Sequence, residues 1–152
     1  MMFDDGLRRT DVFKYGQGIL PPAGILSRVR KLYIGKLIDT EIWGVDGEVI
    51  RDEIGDDEFE GGGNFARYLY IPAGQIWIES CLPMQAWPPL LIHEYVEMHN
   101  MIKTGIPYEQ AHNLARFYER QFRVEDKTLF QARNEQEILS LVVNYLKRYI
   151  GY

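Results

Sequence analysis

The feature that most constrains this chain is the punctuation of one stretch, "PPLLIHEYVEMHNMIKTGIPYEQAHNLARFYE", which starts at Pro88 and ends at Glu119. Proline is tolerated in the first turn of a helix and not in its interior, so a helix carrying "HEYVE" starts at Pro88-Pro89. Gly105 suits its C-terminal cap, and Pro107 suits the first position of a second helix that runs to about Arg123. So short a turn makes the two helices antiparallel neighbours. The chain is thereby committed to a helical hairpin.

Elsewhere the pattern changes. "YGQGILPPAG" is rich in Gly and Pro, and residues 1–24 read as an irregular arm leading into a short helix over "ILSRVRKLY". In "EIWGVDGEVIRDEI" the apolar positions Ile42, Val45, Val49 and Ile50 flank Asp46-Gly47, which predicts a β-hairpin. "RYLYIPAGQIWIE" reads as two further strands broken at Pro72-Ala73-Gly74. A last helix over residues 134–150 places Ile138, Leu141, Val142, Tyr145, Leu146 and Tyr149 at helical spacing. The expected fold is α+β. A small antiparallel or mixed sheet of about four strands in the N-terminal half packs against the helical hairpin and the final helix.

At 152 residues the chain suits one domain, and 46% apolar and 13% aromatic content suit a globular core. The net charge of −5 disfavours a nucleic-acid partner. No apolar run is long enough for a membrane span, and "MMFDDGLRRTDVFKYG" lacks the apolar core of a secretory signal. A single cysteine, Cys81, fits a reducing compartment, so a cytoplasmic location is expected. Cys81 reads as a small buried hydrophobe rather than a nucleophile.

"HEYVE" differs by one letter from the zinc-binding helix motif HExxH. At about 100° per residue, His93 and Glu97 lie within about 40° of each other, so an imidazole and a carboxylate can converge on one ion. Glu94 occupies the position that polarises metal-bound water in HExxH enzymes. His99 points about 200° away from Glu97 and cannot join the site. The second helix offers His112 and Glu119 as a third ligand. Counting about 1.5 Å per residue from the turn puts Glu97 and His93 about 10 and 16 Å up, with His112 and Glu119 about 8 and 18 Å up. Side chains lean toward their own helix N-terminus, which favours Glu119 over His112. Arg116 lies level with the His93/Glu97 pair, and an ordinary ion pair with Glu97 is the competing reading.

The ordered motifs also carry a resemblance. Trp77-Ile78-Glu79, then His93, Glu94 and Glu97, then Tyr108, Ala111, His112, Ala115 and Glu119 resemble an uncharacterised family of prokaryotes and their mobile elements. The likeness spans about residues 28–122, and the order of strand, active helix and second helix is similar to minimal zincin metallopeptidases. It implies a zincin-like core with a divalent metal, zinc first, with manganese or iron also admitted by a His/Glu donor set. It implies Glu94 as the catalytic base, and a "QIWIE" edge strand whose Gln75, Trp77 and Glu79 align a peptide or protein substrate. Glu97 stands in place of the second histidine, and Asn64 stands where some members have a histidine. The alternative is a non-enzymatic phage or mobile-element protein, in the host cytoplasm or the virion, that assembles with partners or with copies of itself. In that case the same residues form a polar network between helices.

The acidic, glycine-ending run "RDEIGDDEFEGGGN" is expected to be irregular. It reads as a solvated hairpin tip, a lid, or a calcium loop through Asp56, Asp57 and Glu58. The aromatic residues Phe13, Tyr15, Trp43, Tyr68, Tyr70, Trp77 and Trp87 are expected in the core or on its rim.

Overall fold

A computed structural model describes residues 29–55, 59–125 and 132–152. The fold is α+β. A four-stranded mixed sheet is built from β1 (Lys31–Leu37), β2 (Thr40–Val45), β3 (Gly62–Asn64) and β4 (Gln75–Glu79), in the spatial order β1-β2-β4-β3. Among the described residues the α-helices are a single turn α1 (Gly47–Val49), then α2 (Trp87–Ile102), α3 (Tyr108–Glu125) and α4 (Glu135–Tyr145). α2 packs against β3 and β4 on one side and α3 on the other, while α4 leans on β1 and α2. Among the described residues no helix is long and apolar enough to cross a membrane.

The helical hairpin forms as its punctuation predicts. Pro88 and Pro89 occupy the first turn of α2, where a missing N–H costs little. The helix ends at Ile102, and Gly105 takes a left-handed φ of 71° in the turn that follows. α4 begins where Asn134 caps it, its side chain accepting from the Glu137 amide at 3.0 Å. Its last turns widen over Leu146–Ile150.

Several predicted elements are different in the structure. Lys31–Tyr33, expected at the end of a short helix, are strand residues. Lys31 pairs with Val45 and Tyr33 with Trp43, so β1 and β2 form the hairpin, closed at Ile38 with φ 60°. The irregular arm and the first part of that predicted helix lie outside the described residues, as do Phe13 and Tyr15. Asp46-Gly47 does not turn a hairpin. The Asp46 carboxylate accepts from the Glu48 amide at 3.0 Å and starts α1, which widens into a turn over Ile50–Ile54 with Ile50 and Ile54 buried.

The segment from Arg67 to Ile71, expected as a strand, is a pair of tight turns. Asn64 Oδ1 accepts from the Ala66 and Arg67 amides at 3.0 and 3.1 Å, and this local capture outcompetes a ladder. The strand that pairs with β4 is instead Gly62–Asn64, within a run expected to be irregular. Gly63 is required there, because a Cβ would press on the Tyr68 ring at 2.7 Å. The acids of the suggested calcium loop, residues 56–58, lie outside the described residues, while the neighbouring Phe59 is fully buried.

"QIWIE" is not an edge strand. β4 runs parallel to β2, with Trp43 beside Trp77, and antiparallel to β3, so both of its backbone edges are used. Cys81 is exposed rather than buried. Of the remaining aromatics, Tyr68, Tyr70, Trp77 and Trp87 are buried, and Trp43 is packed partly against the core.

Candidate metal centre

α2 packs against β3, β4, α3 and α4, and most of its residues, polar as well as apolar, are buried. His93, Glu94 and Glu97 are 9%, 7% and 3% exposed. A charged group in such a place must be paired or hydrogen-bonded. The structure shows how each is held.

His93 Nε2 lies 3.2 Å from Glu97 Oε2, one turn along α2. From α3, His112 Nδ1 reaches the same Glu97 oxygen at 2.8 Å. One ligand atom from each of His93, Glu97 and His112 can be chosen so that all lie within 4.8 Å of one another. Glu119 lies elsewhere. Its Oε1 meets His93 Nδ1 at 2.8 Å, on the other ring nitrogen, and its Oε2 accepts from Arg123 at 3.0 Å. At the His93 nitrogen that faces Glu97, the neighbour from α3 is thus His112, where the lean of the side chains favoured Glu119. The counted rises themselves hold, since Glu97 at about 10 Å meets His112 at about 8 Å and His93 at about 16 Å meets Glu119 at about 18 Å. The lean of side chains toward their helix N-termini is what did not decide between the two residues.

Glu97 Oε1 and Glu94 Oε1 both accept from the amide of Asn64, at 3.1 and 2.9 Å. Asn64 is fully buried at the end of β3, so a strand packed against α2 carries the donor that separates two carboxylates. The sequence marked Asn64 by its place after three glycines and by standing where some members of the resembling family have a histidine, but the two carboxylates it meets are thirty or more residues away along the chain. Arg116 is exposed, and among the described residues the ion-pair partners of Glu97 are His93 and His112, not Arg116. His99 turns away from the site, as the helical spacing requires, and stacks on Tyr152 with ring centroids 3.9 Å apart.

A cavity of about 240 Å³ opens on this group. His93, Glu94, Glu97, His112 and Glu119 line it on the helix side, and Gly62, Arg67, Tyr68 and Tyr108 contribute to the rest. The Arg67 guanidinium lies 3.9 Å from the centroid of the Tyr108 ring. Gln75, Trp77 and Glu79 are not among the residues lining it. Gln75 accepts from the Trp77 indole at 2.9 Å, and Glu79 is held by Arg51 and the Gly61 amide. Those three residues brace the sheet, because β4 is enclosed by a strand on each side.

The electrostatics follow from this packing. Burial, followed by the neighbouring Glu97 charge, pushes the Glu94 carboxyl up to about 7. Burial disfavours the His93 imidazolium, but hydrogen bonds to Glu119 and Glu97 outweigh it and lift the group to about 10. Burial also acts to raise Glu97, yet the hydrogen bonds from His112 and His93 hold it below the usual carboxylate range. Glu119 is likewise lowered, with burial overcome by His93 and Arg123.

Two imidazoles and a carboxylate beside an open cavity suit a divalent ion that keeps one position for an outside ligand. A carboxylate on the far nitrogen of a ligating histidine is the usual means of fixing its ring. No protein-family model, curated protein or solved structure matches this chain.

Proposed function

We propose that the protein is a divalent-metal-dependent hydrolase of zincin-like form, acting on a peptide or protein. The observation that carries this reading is the convergence of His93, Glu97 and His112 at the wall of the cavity, with Glu94 one residue away on the same helix. His93, Glu97 and His112 would hold the ion, which when bound would supply an activated water and polarise a carbonyl. Zinc suits this donor set first, and manganese or iron also suit it.

The chain's own residues supply the rest. Glu119 holds the His93 ring through Nδ1, leaving Nε2 for the ion. Asn64 holds Glu94 and Glu97 apart with a single amide. Glu94, pushed up to about 7 by burial, is suited to take a proton from water and pass it to a leaving amine near neutral pH. The cavity is smaller than a drug-sized site, which suits the grip of one residue or one scissile bond.

A second reading rests on the same hydrogen bonds. Each charged side chain of α2 already has a partner without an ion, as a purely structural network between helices would require. A phage or mobile-element protein that assembles with others could use the cluster in this way. Elemental analysis of untagged protein beside His93→Ala and Glu97→Ala separates the two. Near-stoichiometric metal in the wild type, lost in both variants, supports the hydrolase and calls for a peptidase screen with Glu94→Gln as control. No metal after reconstitution leaves the structural network as the reading.

A further inference from the structure

We propose that Tyr108 is the residue that contacts the outside ligand at the metal's open position, donating its hydroxyl to the ligand oxygen. The inference rests on the metal-site reading above. It names a contact that the sequence motif does not assign.

The Tyr108 hydroxyl lies 3.3 Å from His112 Nδ1, the nitrogen that faces Glu97, and the side chain lines the cavity. A ring nitrogen has one lone pair. His112 Nδ1 cannot accept from the Tyr108 hydroxyl in either state: without an ion it carries the proton donated to Glu97, and with one its lone pair is given to the ion. A half-buried hydroxyl left without an acceptor is costly, so it takes the next oxygen within reach. On the cavity side of the ion, that oxygen belongs to water or to the ligand that displaces it. Arg67 stacks on the Tyr108 ring at 3.9 Å and also meets Tyr68, which fixes the phenol at the cavity wall. The ligand class that fits is an oxygen anion, such as a carboxylate, a hydroxamate, or the oxyanion of an attacked carbonyl.

The test uses full-length protein loaded with cobalt(II), whose visible bands report coordination without any turnover. Acetohydroxamic acid and 2-mercaptoethanol are each titrated into wild type and Tyr108→Phe. Phenylalanine keeps the ring under Arg67 and removes a single oxygen. The expected result is an unchanged cobalt spectrum in the free variant, acetohydroxamate binding weakened about tenfold or more, and equal thiol binding, because sulfur is a poor acceptor. Equal acetohydroxamate affinity in both proteins would overturn the Tyr108 contact and leave the metal site standing. Parallel weakening of both probes would also overturn it, marking a general distortion. Loss of cobalt from Tyr108→Phe would make the hydroxyl a ligand of the ion, against the proposal. A wild type that takes up no cobalt would remove the metal reading and this inference with it.

Discussion

Glu119 and His93 are joined at 2.8 Å through the ring nitrogen that faces away from Glu97. The bond ties α3 to α2 and sets which imidazole nitrogen is presented to the His112 side. Glu119 is itself held by Arg123 at 3.0 Å, one turn further along α3. Removing this carboxylate should leave the donor set intact but loosely aimed. Glu119→Ala is expected to weaken metal binding by about 10–100-fold, and His93→Ala to abolish it. Competition against a chromophoric chelator measures both, and wild-type affinity in Glu119→Ala would rule out the clamp.

Asn64 donates to two carboxylates that would otherwise face each other in the core. Asn64→Leu keeps the approximate volume and removes the donor, along with the acceptor for the Ala66 and Arg67 amides. The expected loss is about 3 kcal/mol or more, since breaking a buried polar network leaves its remaining charges uncompensated. Urea unfolding of metal-free protein gives the value directly. A loss below about 0.5 kcal/mol, the range of ordinary surface substitutions, would mean that the network carries little of the stability.

The metal-free protein should become less stable as pH rises. Burial raises Glu94 from 4.5 to about 7, so its contribution is present below 4.5 and is lost as pH climbs through 7. Hydrogen bonds to Glu119 and Glu97, acting against burial, raise His93 from 6.5 to about 10, so its contribution is lost as pH climbs toward 10. Glu97 and Glu119, both lowered, act in the opposite direction, and only below the ordinary carboxylate range. Thermal melts of chelator-treated protein from pH 5 to 9 should show a falling midpoint. Glu94→Gln should remove the part of the fall below pH 7. With metal the trend should reverse, because binding displaces the proton on His93 and is favoured at high pH. A midpoint rising with pH in the metal-free protein would contradict the charge states assigned to the pair.

Glu94 is next to His93 and is not part of the His93, Glu97 and His112 group that could hold an ion. Glu94→Gln should therefore retain metal at wild-type stoichiometry. Any peptidase activity found should fall by about 10²–10⁴-fold, the usual contribution of a positioned base. Elemental analysis and a fluorogenic-peptide assay on the same sample test both parts. Undiminished hydrolysis would exclude Glu94 as the base.

The elements legible in the sequence are those set by local rules. Pro88-Pro89 fix where α2 begins, and Gly105 and Pro107 fix where it ends and α3 begins, because proline and glycine act through their own backbone angles. The one-turn spacing of His93 and Glu97 also follows from helix geometry alone, as does the outward direction of His99. Local rules misled where two nearby solutions compete. Asp46-Gly47 suits both a hairpin turn and a helix start, and the choice fell to the helix because β2 finds its partners in β1 and β4.

The rest belongs to the tertiary structure. "QIWIE" reads as a strand, but whether a strand lies at an edge depends on which segments come to flank it, and a three-residue glycine-rich strand supplies the missing neighbour. Counting along the helices pairs Glu97 with His112 and His93 with Glu119, as the structure does, but which nitrogen of His93 each residue meets depends on how the two helices pack. Asn64 has no local mark of its role, because the carboxylates it bridges come within reach only when β3 docks on α2. The sequence by itself determined the helical hairpin and a histidine–carboxylate pair one turn apart. Packing decided which side chains complete that pair, since distances across elements are set by how surfaces fit and not by spacing along the chain.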